Sequence, residues 1–178
     1  MEKDKDIRNA DGEQPIDAHL ADARVVMLCG VSGSGKTYLA KRLARDFGHV
    51  RVSSDALLWN RYGDAFPSLP AEQRQAAFMA VNAELERDVA RLLAEGKKVA
   101  VDVTHCKRAK RDRIRELCAR FGVDPVLVYL ATPPAVLRQR LATRQGIGPD
   151  DQLVPEQDLA RFLANFQPPA PSESPIIL

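Results

Sequence analysis

Residues Gly30-Val31-Ser32-Gly33-Ser34-Gly35-Lys36-Thr37 fit the spacing G-x-x-x-x-G-K-[ST]. No other stretch restricts the fold as tightly. Arg24 to Cys29 ahead of it form a short apolar run that reads as a buried strand. Behind it, Leu39, Leu43 and Phe47 recur at helical spacing. A strand, a glycine loop and a helix are the setting in which such a loop cradles phosphate. The glycines let the backbone curl so that several N–H groups converge on one anion. The helix N-terminus adds partial positive charge. We therefore expect a nucleotide site of Gly30, Ser32, Gly33, Ser34, Gly35, Lys36, Thr37 and Tyr38. Lys36 would reach the β- and γ-phosphates and the Thr37 hydroxyl would bind Mg²⁺. The cofactors expected are ATP and Mg²⁺.

The 178 residues suffice for one domain with a full core. No apolar run approaches the length of a membrane span, and no secretory h-region is present, so a cytoplasmic protein without a membrane partner is expected. Acidic residues gather between Met1 and Asp22, which reads as a disordered acidic leader over 1–22, followed by a domain over 23–178. The overall charge is +2, so the remainder is mildly basic, suiting a polyanionic ligand. Cys29, Cys106 and Cys118 have no C-x-x-C spacing and read as free thiols. His19, His49 and His105 show no metal-ligand spacing.

Further strands are expected at 49–53, 98–103 and 125–130, with the start of a fifth at 174–178. Helices are expected at about 71–95, 107–121, 133–144 and 155–166. The stretch from Trp59 to Pro70 reads as a loop over the site, and 145–152 as a glycine-bearing lid. This alternation predicts an α/β fold of three layers, a P-loop NTPase fold with a parallel sheet of about five strands and helices on both faces. Ligands of such sheets gather at the carboxyl ends of the strands.

Three polar clusters fall at that edge. Asp55 follows the second strand, where a carboxylate could take a proton from a substrate hydroxyl; the alternative is a helix N-cap. Asp102 ends the third strand, where it would hold Mg²⁺ through water, with Thr104 on the same side; a helix cap is again the alternative. Arg140 and Arg144, four apart on a helix, could clamp phosphate and offset charge as it develops, while Arg138 points away. The run Lys107, Arg108, Lys110, Arg111, Arg113 and Arg115 reads mainly as a solvated helix face, one member of which could touch an acceptor. It lacks interleaved aromatics, so nucleic acid is a possible but not a favoured partner.

Taken together, Gly-x-x-Gly-Ser-Gly-Lys-Thr, Val-Ser-Ser-Asp55, Val-Asp102-Val-Thr104, Leu137-x-x-Arg140-x-x-x-Arg144 and Phe166-Gln167-Pro168-Pro169 resemble the small P-loop kinases grouped with polynucleotide 5′-kinases. The likeness is greatest to the bacterial stand-alone kinase-like ATP-binding proteins of that group. It is more distant to gluconate kinases, shikimate kinases and zeta toxins, and it spans residues 24–178. It implies an ATP-dependent phosphotransferase with Lys36 and Thr37 on ATP–Mg²⁺, Asp55 as base and Arg140 or Arg144 supplied from the lid. One departure bears on the acceptor. Polynucleotide kinases often carry an arginine three residues after the base, and here Leu58 stands there, with Arg61 the nearest arginine downstream. The favoured acceptor is therefore a hydroxyl of a small molecule. The alternatives are a polynucleotide 5′-hydroxyl and a regulatory ATPase with no acceptor. The end at Leu178 falls early for the group, which reads as a partial final strand.

Overall fold

The computed structural model describes residues 16–178. The expected three-layer α/β architecture is present. Five parallel strands, β1 (Val25–Cys29), β2 (Val50–Ser53), β3 (Val99–Asp102), β4 (Val126–Tyr129) and β5 (Ile176–Ile177), lie in the order β2-β3-β1-β4-β5. Seven helices accompany them: α1 (Ile16–Asp22), α2 (Lys36–Phe47), α3 (Ser54–Tyr62), α4 (Ala71–Ala94), α5 (Arg108–Ala119), α6 (Pro134–Ala142) and α7 (Glu156–Asn165). None of them is long and apolar enough to cross a membrane.

β1 is central and fully buried, because a parallel strand covered on both faces needs apolar residues at every position. Its alternation sorts the two halves of the core. Val25, Met27 and Cys29 pack with Leu85, Val89 and Leu92 of α4 and Ile114 and Cys118 of α5. Val26 and Leu28 pack with Ile16 and Leu20 of α1 and Leu39, Ala40 and Leu43 of α2. A third cluster of Val31, Leu137, Leu141 and Leu159 fastens α6 and α7 to the phosphate loop. Burial of this kind stabilises by about 1.5–3 kcal/mol per large side chain.

Three expectations need correction. Residues 1–15 of the expected leader lie outside the described residues, but 16–22 form α1. Ile16 and Leu20, one turn apart, place an apolar stripe on the sheet, and Arg42 pairs with Asp17. The stretch from Trp59 to Pro70 is largely helical: α3 runs to Tyr62 and a 3₁₀ turn covers Gly63–Ser68. Its driver is a small core of Leu57, Leu58, Tyr62 and Phe66 against Ala77 and Val81 of α4. Phe78, which helical spacing would place on one stripe with Val81, Leu85, Val89 and Leu92 of α4, is 45% exposed and packs edge-on to Phe66 instead.

The basic run also departs from a wholly solvated face. Arg111 is 1% exposed. It donates through Nε and Nη2 to both oxygens of Glu173 at 2.7 and 2.8 Å, and through Nη1 to the carbonyls of His105 and Gln167 at 2.9 Å. Arg115 adds a contact to Glu173 at 3.1 Å. Arg108 pairs with Asp112 and Arg113 with Glu86. These arginines are largely committed within the protein.

Candidate active site

The phosphate loop runs from the end of β1 to the start of α2, at the carboxyl edge of the sheet. Gly30 has φ +152°, and a Cβ there would come within 2.6 Å of Ser34 Oγ and 3.1 Å of the Leu130 carbonyl. Gly33 has φ +85°, and a Cβ would meet Leu141 at 3.1 Å. Gly30, the first glycine of the motif, excludes a side chain on conformational and steric grounds, and Gly35, the second, on conformational grounds with φ +104°; Gly33 is a further glycine at a variable position of the motif. The loop is stitched to its neighbours by Gly30 N–H to the Thr104 carbonyl at 3.2 Å and Leu130 N–H to the Cys29 carbonyl at 2.9 Å.

Lys36 opens α2 and its Nζ donates to the Val31 carbonyl at 2.9 Å, curling over the loop. Burial draws its ammonium below the usual range, while Asp102 and Asp55 oppose that shift. Thr37 Oγ1 donates to Asp102 Oδ2 at 3.1 Å, from the first turn of α2 to the end of β3. A hydroxyl and a carboxylate held together beside a phosphate cradle fit a hard, oxygen-seeking cation such as Mg²⁺. The buried Ser34 Oγ has no partner within the protein, and the glycine-lined curl leaves room for phosphate oxygens. The residues present thus suit a nucleoside triphosphate with its metal.

Asp55 does not cap α3. The cap is Ser53, whose Oγ accepts from the Ala56 N–H at 3.3 Å, leaving Asp55 in the first turn with its carboxylate toward the cleft. It stays accessible through the cleft mouth, so it loses only part of its hydration. That desolvation raises its pKa; Lys36 opposes the rise, Asp102 adds to it, and Arg144 and Arg51 oppose it. Asp102 is 4% exposed and bonded to Thr37, so it does not serve as a helix cap either.

Arg140 and Arg144 both turn onto the phosphate loop. Arg140 Nη1 donates to the Gly33 and Ser34 carbonyls at 3.1 and 3.3 Å. Arg144 Nη1 donates to Ser32 Oγ at 3.3 Å and the Gln152 carbonyl at 3.0 Å. Arg138 points away and meets Glu156 at 2.7 Å. The loop after α6 folds over the same cleft. Asp151 closes it by accepting from the Gln145 and Ile147 N–H groups.

A cleft of about 480 Å³ results, lined by Ser32, Gly33, Gly35, Lys36, Thr37, Tyr38, Lys41, Asp55, Thr104, Arg140, Arg144, Pro149 and Asp150. Nine of the twelve expected site residues line it, with Tyr38 68% exposed at the rim; Gly30 and the buried Ser34 belong to the loop but not to the lining, and Asp102 is held just behind Thr37. Sequence reading missed Arg51, Lys41 and Asp150. Arg51 Nε donates to Asp102 Oδ2 at 2.8 Å, its Nη2 lies 2.6 Å from Asp150 Oδ1, and Lys41 Nζ lies 2.7 Å from Asp150 Oδ2. The one signal was an arginine set inside an otherwise neutral strand.

Comparison with known proteins agrees with this geometry. A family model described as an AAA domain matches residues 25–169. The chain is 28% identical over 153 residues to the shikimate kinase of Chlorobium chlorochromatii, covering 81% of this chain and 76% of that one. A shorter match, 34% identical over 65 residues, joins it to the shikimate kinase of Synechococcus elongatus, covering 36% of this chain and 34% of the relative, so that about a third of that relative's length is spanned. Among solved structures, a sugar kinase from Janibacter sp. HTCC2649 superposes with a TM-score of 0.65 at 24% identity, over 88% of this chain and 84% of that one. That last likeness speaks for the fold.

Proposed function

The chain belongs to the AAA domain family of P-loop kinase-like proteins, and from that premise we propose that it transfers the γ-phosphoryl of ATP to a hydroxyl of a small-molecule acceptor. The observation that carries the reading is the convergence of Lys36, the Thr37–Asp102 pair, Asp55 and Arg144 on one cleft. A phosphate cradle alone would suit a switch; a carboxylate placed across from it suits transfer to a hydroxyl.

In this reading the backbone N–H groups of residues 32–37 and the Lys36 ammonium hold the phosphates. Mg²⁺, when bound at Thr37 and Asp102, supplies charge neutralisation at the β- and γ-oxygens. Asp55 accepts the acceptor's hydroxyl proton as its oxygen bonds to the γ-phosphorus. The bond from that phosphorus to the β,γ-bridging oxygen breaks, ADP departs with its electron pair, and a phosphate monoester remains. Arg140 and Arg144 offset charge on the transferring group, and residues 145–152 act as the lid that excludes water. Desolvation pushes the Asp55 pKa upward, the direction that strengthens a general base.

The small-molecule acceptor draws support from the name of the chain's sequence relatives, shikimate kinase. Leu58 adds to it: the side chain is 2% exposed inside the α3–α4 cluster, and Arg61 is engaged by Glu84. Neither offers a free donor to a polynucleotide phosphate. Three free cysteines suit a reducing compartment such as the cytoplasm.

The test is γ-phosphoryl transfer from labelled ATP with Mg²⁺ into two acceptor pools, one of sugars, nucleosides and cyclitols, the other of 5′-hydroxyl oligonucleotides. Label on one metabolite supports the proposal and names the acceptor. Label on oligonucleotide, or release only as free phosphate at a rate no acceptor changes, overturns it. Lys36→Ala is the control, with sharply lower ATP affinity or turnover in a folded protein.

A further inference from the structure

Arg51 takes no part in the reaction outlined above, yet it joins the two halves of the cleft. β2 pairs with β3 so that Ser53 lies opposite Asp102 and Arg51 opposite Ala100. Arg51 therefore starts one row behind the metal carboxylate, and its side chain reaches forward along the sheet edge. Nε donates to Asp102 Oδ2 at 2.8 Å and Nη2 lies 2.7 Å from the same oxygen. Toward the lid, Nη2 is 2.6 Å from Asp150 Oδ1 and Nη1 is 3.4 Å from Oδ2. A chain of groups thus runs Thr37–Asp102–Arg51–Asp150–Lys41, from the expected metal position through the lid residue Asp150 and back to α2. The Arg51 and Asp102 side chains are only 17% and 3% exposed, so salt and water screen this contact weakly.

Asp102 Oδ2 already serves Thr37 and two nitrogens of Arg51. A carboxylate oxygen has about two lone-pair sites. A divalent cation beside Thr37 and Asp102 would bring its charge against a guanidinium 2.7 Å from Oδ2, and of the donors on that oxygen the positive guanidinium is the one it repels. We propose that Arg51 is a positioning residue that couples the lid to the metal carboxylate: it ties Asp150 to Asp102, and a divalent cation at Thr37 and Asp102 displaces it and loosens the lid. The inference rests on the metal role assigned above to Thr37 and Asp102. Released from this tie, the lid is free to re-form around phosphate, where Lys41, Arg140 and Arg144 find new anions. Coupling of this kind is reciprocal, so loosening the lid strengthens metal binding by the same factor.

Amide hydrogen exchange over residues 145–152, with saturating ADP in EDTA or in Mg²⁺, reads the coupling without any turnover. In the wild-type protein Mg²⁺ should speed lid exchange about 5-fold or more, the lower bound of ordinary coupling. Arg51→Gln should exchange fast in both conditions and bind Mg²⁺ more tightly by a similar factor. Arg51→Lys keeps the charge but serves one carboxylate at a time, so it should also lose the Mg²⁺ response; it decides the matter if the glutamine variant does not fold. A purely structural Arg51 would show faster exchange in β2 and β3 with the Mg²⁺ response of the lid intact, and that result overturns the inference. So does a wild-type lid that ignores Mg²⁺ while ADP binds, an outcome that leaves the phosphotransfer reading standing. A wild-type protein that binds no nucleotide overturns both.

Discussion

Arg111 and Arg51 each join parts of the chain far apart in sequence, and they do opposite work. Arg111 is held by four donor contacts to Glu173, His105 and Gln167, and the Glu173 carboxylate is itself only 2% exposed. It pins the 171–173 turn ahead of β5 to α5 and to the chain leaving β3. Arg51 has a similar set of donors but shares them between Asp102 in the core edge and Asp150, whose side chain is 25% exposed on a loop. The difference lies in what the partners can do. A bridge between two rigid elements fixes the fold, whereas a bridge between a rigid element and a loop can be exchanged for a ligand.

The comparison breaks most readily at Arg111. Arg111→Ala leaves Glu173 buried with only Arg115 as counter-charge, and losing one partner of a buried pair costs about 3–5 kcal/mol. Thermal unfolding should fall by about 10 °C in a domain of this size. Arg51→Gln should lower the melting temperature by less than half as much. Equal losses would erase the distinction between the two clusters.

Next in size is the chemistry beside Arg51. Asp55→Asn should cost roughly 10²-fold or more in transfer rate, as expected for a lost general base, with ATP affinity and melting temperature nearly unchanged. A full rate in that variant would move the base elsewhere. Arg144→Gln should lower kcat by roughly tenfold or more, while substitution of the solvent-facing Arg138 should not. Steady-state kinetics on the acceptor found by the labelling experiment would read both.

The finest test is acid stability. His105 sits beside the Arg111 cluster with a left-handed backbone (φ +47°), buried, its Nδ1–H donating to the Leu28 carbonyl at 2.7 Å. Burial lowers its pKa from 6.5 to about 4. The unfolded chain takes up a proton below pH 6.5 and the folded one resists, so stability held above pH 6.5 is lost as pH falls through about 4. Glu173, held by hydrogen bonds from Arg111 against the opposing effect of burial, drops from 4.5 to about 2. Its contribution is complete above pH 4.5 and disappears as pH falls through about 2. Denaturant titrations across this range should show two successive losses. His105→Asn, which tolerates the left-handed backbone, should remove the upper one alone, and Glu173→Gln the lower one alone.

Much of the site was legible because its parts are local. The glycines, Lys36 and Thr37 lie within eight residues, and their spacing follows from one backbone curl. Asp55 and Asp102 were found because parallel strands deliver their carboxyl ends to one edge. The alternative of Asp55 as the cap of α3 could not be removed from sequence, since Ser53, Ser54 and Asp55 are chemically alike as caps and only the backbone direction at Ser53 selects among them. Helix α1 was hidden by acidic neighbours that outnumber its two apolar anchors. Arg111 looked like one member of a charge run, and nothing in that run marks which arginine faces inward.

What the sequence determined by itself is the alternation of the strands with the main helices, the parallel sheet and the phosphate loop, because each rests on periodicity or on spacing within a few residues. What the tertiary structure alone decided are the pairings across long separations: Arg51 with Asp150, 99 residues apart, and Arg111 with Glu173, 62 apart. An arginine carries the same charge wherever it stands in the chain. Which carboxylate it meets, and whether water shares the contact, depends on how the layers pack.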